Sequence, residues 1–216
     1  MEYLTIALPK GKLFAQSVEL LAKVGYAAEN VVEDSRKLVI ANGDTKVKFI
    51  IVKTMDLPTY VEYVAADIGI IGKDVLNEEN KDVYELLDMG YGACHLMMAV
   101  PEAKALPKIT DYAHTRVATK YPHSASRFFE QLGMQMEIVK LNGSIELAPI
   151  VGLSESIVDI VQTGRTIREN KLKEIATVYP STARLIANKV SFKMQYERIK
   201  KLVRDLQKVL KEETPQ

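Results

Sequence analysis

Apolar runs of strand length alternate along the chain with amphipathic stretches, and a small-residue turn separates one from the next. That alternation confines the chain to α/β architectures built on parallel strands. Leu4 to Leu8 is the first run; it stops at Pro9-Lys10-Gly11-Lys12, after which Leu13, Val18, Leu21 and Val24 recur at helical spacing as far as Gly25. Lys46 to Lys53 reads as the next strand, and Asp56 ahead of Pro58 predicts an N-cap and a helix from about Leu57 to Ala65. Ala66 to Ile71 is strand again, with Gly72-Lys73-Asp74 opening another helix. A second cycle follows: strands over Cys94 to Val100, Arg116 to Lys120, Met136 to Leu141 and Ser156 to Ile160, with a helix over Ser124 to Leu132 and a helical turn containing Glu146. Phe192, Tyr196, Ile199, Val203, Leu206 and Leu210 mark one last helix, which covers the sheet or meets another subunit.

At 216 residues the chain has room for two lobes. Gly90 and Gly92 break the pattern within Asp88 to Cys94, and Tyr179-Pro180 marks a return crossing, so one lobe is expected over residues 1–90 plus 179–216 and the other over 91–178. The single cysteine, Cys94, excludes an intrachain disulfide, and three scattered histidines give no zinc spacing; His95 reads as a core residue, His114 and His123 as loop residues. Met1 to Lys10 lacks a secretory pattern, and no run approaches the roughly 18 apolar residues of a membrane span, so a cytoplasmic protein is expected. Basic and acidic residues number 29 and 28 without a concentrated basic face, which argues against a nucleic-acid partner.

The stretch Val158 to Thr166 carries the most chemistry. A strand containing Asp159 runs into Thr163-Gly164-Arg165-Thr166 at a helix start, which aims backbone N–H groups and two hydroxyls into a small space suited to a phosphate monoester. A carboxylate just upstream suits two neighbouring hydroxyls of a ribose. The same residues also compose a plain β-turn with N-capping Thr and Asp. Lys10, Lys12, Arg36 and Lys53 lie near predicted strand ends, where ligands of open α/β sheets bind; each also reads as an ordinary solvated charge. Gly11, Gly69 and Gly72 permit close approach of a ligand or close packing alike. A P-loop, a dinucleotide fingerprint and a Ser-His-Asp order are all missing from the sequence.

Taken together and in order, Leu8-Pro9-Lys10-Gly11-Lys12-Leu13, Asp34-Ser35-Arg36-Lys37-Leu38, Asp56 to Glu62, Ala66 to Leu76, Arg116 to Pro122, Glu146-Leu147-Ala148-Pro149, Gly152-Leu153 and Ile157 to Thr166 with Arg168-Glu169-Asn170 resemble the ATP phosphoribosyltransferase family, over nearly the whole chain. By length the chain is similar to the short form, which lacks the regulatory domain of the long form. The resemblance implies two α/β lobes resembling periplasmic binding protein type II, with mostly parallel sheets and a C-terminal helix returning to lobe 1.

It further implies the first step of histidine biosynthesis, in which N1 of the ATP adenine displaces pyrophosphate from phosphoribosyl pyrophosphate, with Mg2+. A regulatory subunit resembling histidyl-tRNA synthetase and a homodimer within a hetero-oligomer are implied as partners. Under this resemblance Arg36, Lys10 and Lys12 act on the departing pyrophosphate, and Glu146, Asp159, Thr163, Gly164, Arg165 and Thr166 bind phosphoribosyl pyrophosphate. ATP or pyrophosphate falls to Lys10, Gly11, Lys12, Arg36, Lys53, Gly72 and Asp74, and no protein side chain is assigned as a metal ligand. Lys12 stands where the family often has Arg, and Lys53-Thr54 where it commonly has Arg-Pro; charge is kept but the two-pronged guanidinium is not, so altered pyrophosphate recognition is expected. Two rivals remain: a two-lobed solute-binding module, and a phosphoribosyltransferase that uses another base.

Overall fold

Leu4–Pro9 forms strand β1, and Leu4, Ile6, Ala7 and Leu8 are fully buried because helices cover both faces of its sheet. The structure, a computed structural model, describes residues 3–27, 31–33 and 37–213. The chain forms two compact units, Met1–Gly92 with Thr182–Gln216, and Ala93–Ser181.

In the first unit β1 lies between β3 (Val47–Val52) and β4 (Ile68–Gly72), parallel to both. β2 (Val39–Asn42), β5 (Tyr84–Asp88) and β11 (Ala183–Ala187) complete a sheet of order β2-β3-β1-β4-β11-β5. One face packs Leu4, Ile6, Leu8 and Phe49 against Leu20 and Leu21 of α1 (Phe14–Lys23) and Ile199, Leu202 and Leu206 of α7 (Tyr196–Glu213). The other packs Ala7, Val52 and Ile71 against Leu57 and Val61 of α2 (Leu57–Glu62) and Val75 of α3 (Lys73–Glu79).

The second unit contains β6 (Cys94–Pro101), β7 (Arg116–Thr119), α4 (Pro122–Gln131), β8 (Glu137–Lys140), β9 (Ser156–Val161), α5 (Arg165–Glu169) and β10 (Leu172–Ser181). Its sheet has the order β10-β6-β9-β7-β8. Leu96, Met98, Val117 and Val158 face Ala125 and Phe129 of α4, while Met97, Ala99, Ala118 and Ile157 make a second core with Ile145, Val161 and Leu172.

Several expectations need correction. The sheets are mixed, not mostly parallel: β1–β3, β1–β4, β7–β8 and β7–β9 are parallel, whereas β2–β3, β4–β11, β5–β11, β6–β9 and β6–β10 are antiparallel. The alternation predicts only strands followed by helices, and so misses β2, β5, β10 and β11, which pair with neighbours running the opposite way. Asp56 makes no side-chain cap, because residues Thr54–Asp56 already form a 3-10 turn that leads into α2. His123 lies in α4, not in a loop.

The last helix is two. α6 (Lys189–Met194) is capped by the Asn188 side chain, which accepts from the N–H groups of Val190 and Ser191, and the chain turns at Gln195 before α7. Tyr196 is consequently exposed, and Leu202 takes a buried place in the stripe. The basic face of α7 points outward, and its apolar face covers the sheet of its own unit. Leu206→Ala should cost about 2–5 kcal/mol by leaving a cavity under α7. Lys208→Ala, on the exposed face, should stay within about 0.5 kcal/mol, and urea unfolding midpoints of the two variants measure the contrast.

Candidate active site

β9 sets the geometry of the second unit's site. Its side chains alternate, so Asp159 shares a sheet face with Ile157 and Val161, within an apolar cluster that includes Met97 and Ala118. The half-buried Asp159 carboxylate accepts the N–H of Ile160 through Oδ1 at 2.8 Å. Burial pushes this carboxyl up to about 6; the Ile160 N–H opposes the rise, the Glu146 carboxylate adds to it, and the Lys120 ammonium opposes it. Glu146 belongs to a 3-10 turn, Ile145–Leu147, whose Ile145 is anchored in the same cluster.

Past β9 the chain turns at Gly164, which holds φ +69°. A side chain there would be strained by the left-handed backbone, and would displace the flexible guanidinium end of Arg168, 2.9 Å from the added carbon. Arg168 donates to the Thr163 carbonyl at 3.2 Å and fixes the bend. α5 starts with no side-chain cap, so the plain capped turn that the residues also allow does not form. Thr163 and Thr166 are exposed, and Arg165 lies at the surface with its Nε donating to Glu169 at 2.7 Å. The structure therefore brings Asp159, Glu146 and the turn of Thr163 to Thr166 to one end of β9.

The other predicted residues belong to the first unit. Pro9 is in register with Val52, the Lys10 N–H donates to the Val52 carbonyl at 2.9 Å, and the Thr54 hydroxyl donates to the Lys10 carbonyl at 3.0 Å. Lys10 and Lys53 thus leave neighbouring strand ends together, and both are exposed, as are Gly11 and Lys12. The Gly11 N–H donates to Glu33 at 2.6 Å. Gly72 ends β4 and is tightly packed, since a Cβ would collide with the buried carboxylate of Asp74 in the first turn of α3. Arg36 lies outside the described residues. His95 of β6 is half-buried, with its Nε2 at hydrogen-bond distance, 3.0 Å, from the Glu174 carboxylate.

Sequence reasoning assigns nothing to Lys120, although it immediately follows β7, the parallel neighbour of β9. That adjacency is the signal that could have found it. Among the described residues no group of three or more His, Cys, Asp or Glu could hold a metal ion. Nor is any of their helices long and apolar enough to cross a membrane.

A family model described as ATP phosphoribosyltransferase matches residues 53–208. An ATP phosphoribosyltransferase of Desulfitobacterium hafniense (strain Y51) is 52% identical over 215 residues, 96% of each chain. The chain belongs to the ATP phosphoribosyltransferase family. A chain of the ATP phosphoribosyl transferase (HisG:HisZ) complex from Thermotoga maritima superposes with a TM-score of 0.83 at 31% identity, covering 97% of this chain and 100% of that one. The periplasmic aliphatic sulphonate binding protein SsuA from Escherichia coli reaches 0.64 at 11% identity, over 97% of this chain and 73% of that one, and shows the shared two-lobe fold alone.

As an ATP phosphoribosyltransferase the chain is a catalytic subunit: adenine N1 of ATP displaces pyrophosphate from phosphoribosyl pyrophosphate, the first step of histidine biosynthesis. The solute-binding rival falls with that assignment, because its likeness extends to the fold and no further.

In this ATP phosphoribosyltransferase Asp159 holds its proton more tightly folded than unfolded. The stability it contributes is complete below its ordinary value of 3.8 and is lost as pH rises through about 6. Asp159→Asn removes the cost of a buried charge and should raise stability near pH 7 by roughly 2 kcal/mol relative to its effect at pH 4. Urea midpoints of both proteins at the two pH values check the sign.

Proposed function

We propose that the second unit grips the phosphoribosyl group: Asp159 and Glu146 accept hydrogen bonds from the ribose hydroxyls, and Thr163, Gly164, Arg165 and Thr166 receive the 5-phosphate. The observation that carries this reading is a half-buried carboxylate two residues before the end of β9, followed by a turn whose hydroxyls do not cap α5. Phosphate oxygens only accept, so they suit N–H and O–H donors; ribose hydroxyls can donate, so they suit a carboxylate.

In the first unit Lys10, Lys12 and Arg36 act on the departing pyrophosphate, whose negative charge grows as the bond to C1 breaks. Lys53 and Gly11 complete the part that receives ATP or pyrophosphate, whereas Gly72 and the buried Asp74 pack against each other and are not part of it. The exposed ammonium groups at the ends of β1 and β3 support this assignment. Adenine N1 is unprotonated near neutral pH, so the reaction needs no strong general base, and electrostatic stabilisation at the reacting carbon carries most of the catalysis. Bound to the substrate's diphosphate, magnesium would supply neutralisation of the charge that Lys10 and Lys12 also meet.

The HisG:HisZ complex of Thermotoga maritima supports a regulatory partner subunit and a hetero-oligomer; a likeness of that partner to histidyl-tRNA synthetase and a homodimer of this chain complete the proposal. A cytoplasmic location accords with a biosynthetic enzyme of this kind.

Asp159→Asn and Thr166→Val should each raise KM for phosphoribosyl pyrophosphate while the folded state persists. The expected size is tenfold to somewhat over a hundredfold, corresponding to about 1.5–3 kcal/mol for a charge-assisted hydrogen bond. Unchanged kinetics in both variants would remove the cradle. Pyrophosphate release measured with ATP and with other bases, in the presence and absence of the partner subunit, tests the base and the partner; release with a base other than ATP alone would favour the remaining rival.

A further inference from the structure

Lys120 is the residue immediately after β7, and β7 runs parallel to β9 with Ala118 opposite Ile157 and Thr119 opposite Val158. That ladder ends at Thr119 opposite Val158, so the next residues along the two chains, Lys120 and Asp159, leave adjacent positions. Ala118 and Ile157 belong to one apolar cluster and Val158 to the other, so Asp159 lies on the sheet face of the first, and Lys120 follows the end of β7 directly. Adjacent strands are about 4.8 Å apart, well within the reach of a lysine side chain. Lys120 is itself half-buried, where its charge is less screened than at the surface.

We propose that Lys120 is a positioning residue of the phosphoribosyl site: its ammonium keeps Asp159 ionised, and so able to accept from two ribose hydroxyls, against burial and the nearby Glu146. This rests on the assignment of Asp159 to the ribose. A protonated carboxyl carries one donor and gives up acceptor capacity, so its grip on two hydroxyl donors weakens. Burial and Glu146 both drive Asp159 toward that protonated form, while Lys120 is the side-chain charge that opposes them.

The charged groups on the surrounding elements are few. Glu146 comes from the 3-10 turn after β8, and Lys120 from the end of β7. On β6 Met97 is opposite Asp159, and His95, two residues away, is paired with Glu174 of β10. On α5 Arg165 is paired with Glu169, and Arg168 is turned to the Thr163 carbonyl.

The test uses the full chain with 13C-labelled aspartate carboxyls, the Asp159 signal being assigned by its loss in D159N. In wild type this carboxyl should titrate near 6. In K120M, and in K120Q as a second variant, the midpoint should rise by about half a pH unit or more, with K120R restoring it. KM for phosphoribosyl pyrophosphate in the two neutral variants should be raised about twofold or more at pH 6 and converge on wild type near pH 8.5, in step with the ionised fraction. An unmoved midpoint, or a loss of equal size at every pH, overturns the proposal; the second result would mean that Lys120 touches the substrate itself. D159N with a wild-type KM would instead retire the ribose assignment, whatever the midpoint does in the lysine variants.

Discussion

Hydrogen bonding between parallel strands brings their carboxyl ends to a common edge of the sheet, whatever side chains they carry. In the first unit β1 and β3 deliver Lys10 and Lys53 to adjacent positions, and β4 ends at Gly72 along the same edge. In the second, β7 and β9 deliver Lys120 and the chain beyond Val161, while the segment after β8 supplies Glu146. No local propensity selects those neighbours. They follow from burying runs such as Leu4 to Leu8 and Ser156 to Val158 between two covered faces, which only strands with both neighbours in place can do.

That constraint explains what was legible. Runs buried on both faces are apolar almost without interruption, so β1, β4, β6 and β9 stand out in the sequence, as do the turns that end them. β10 does not: its residues are mostly exposed or half-buried, it carries Pro180, and it lies at the sheet edge where proline is tolerated. β5 and β2 are similarly exposed for much of their length. Their partners were therefore unreadable, and the antiparallel share of both sheets with them. Helical periodicity likewise ran through Gln195 unbroken, since Phe192 and Tyr196 remain four residues apart on either side of the break between α6 and α7.

The candidate site divides along the same line. Asp159 and the Thr163 to Thr166 turn are contiguous, so their chemistry could be read from one segment. Lys120 is 39 residues from Asp159 along the chain and becomes its neighbour only through the β7–β9 register. Gly72 and Asp74 show the opposite outcome: the close approach that the glycine permits is filled by the Asp74 carboxylate of its own helix, so packing accounts for the glycine without a ligand.

A carboxylate on this face is held under opposing demands. Complete burial would leave it protonated at neutral pH, and full exposure would leave water competing for every hydroxyl it is meant to hold. Asp159 lies between those limits, with one backbone N–H and one nearby ammonium offsetting desolvation and Glu146. The turn beyond it makes a smaller compromise of the same kind, since α5 begins at Gly164 without a side-chain cap, which forgoes a few tenths of a kcal/mol. Both features forgo stability in the empty protein. On the proposed assignment each leaves hydrogen-bonding capacity for a bound phosphoribosyl group, and part of the binding energy would then come from completing contacts the fold leaves open.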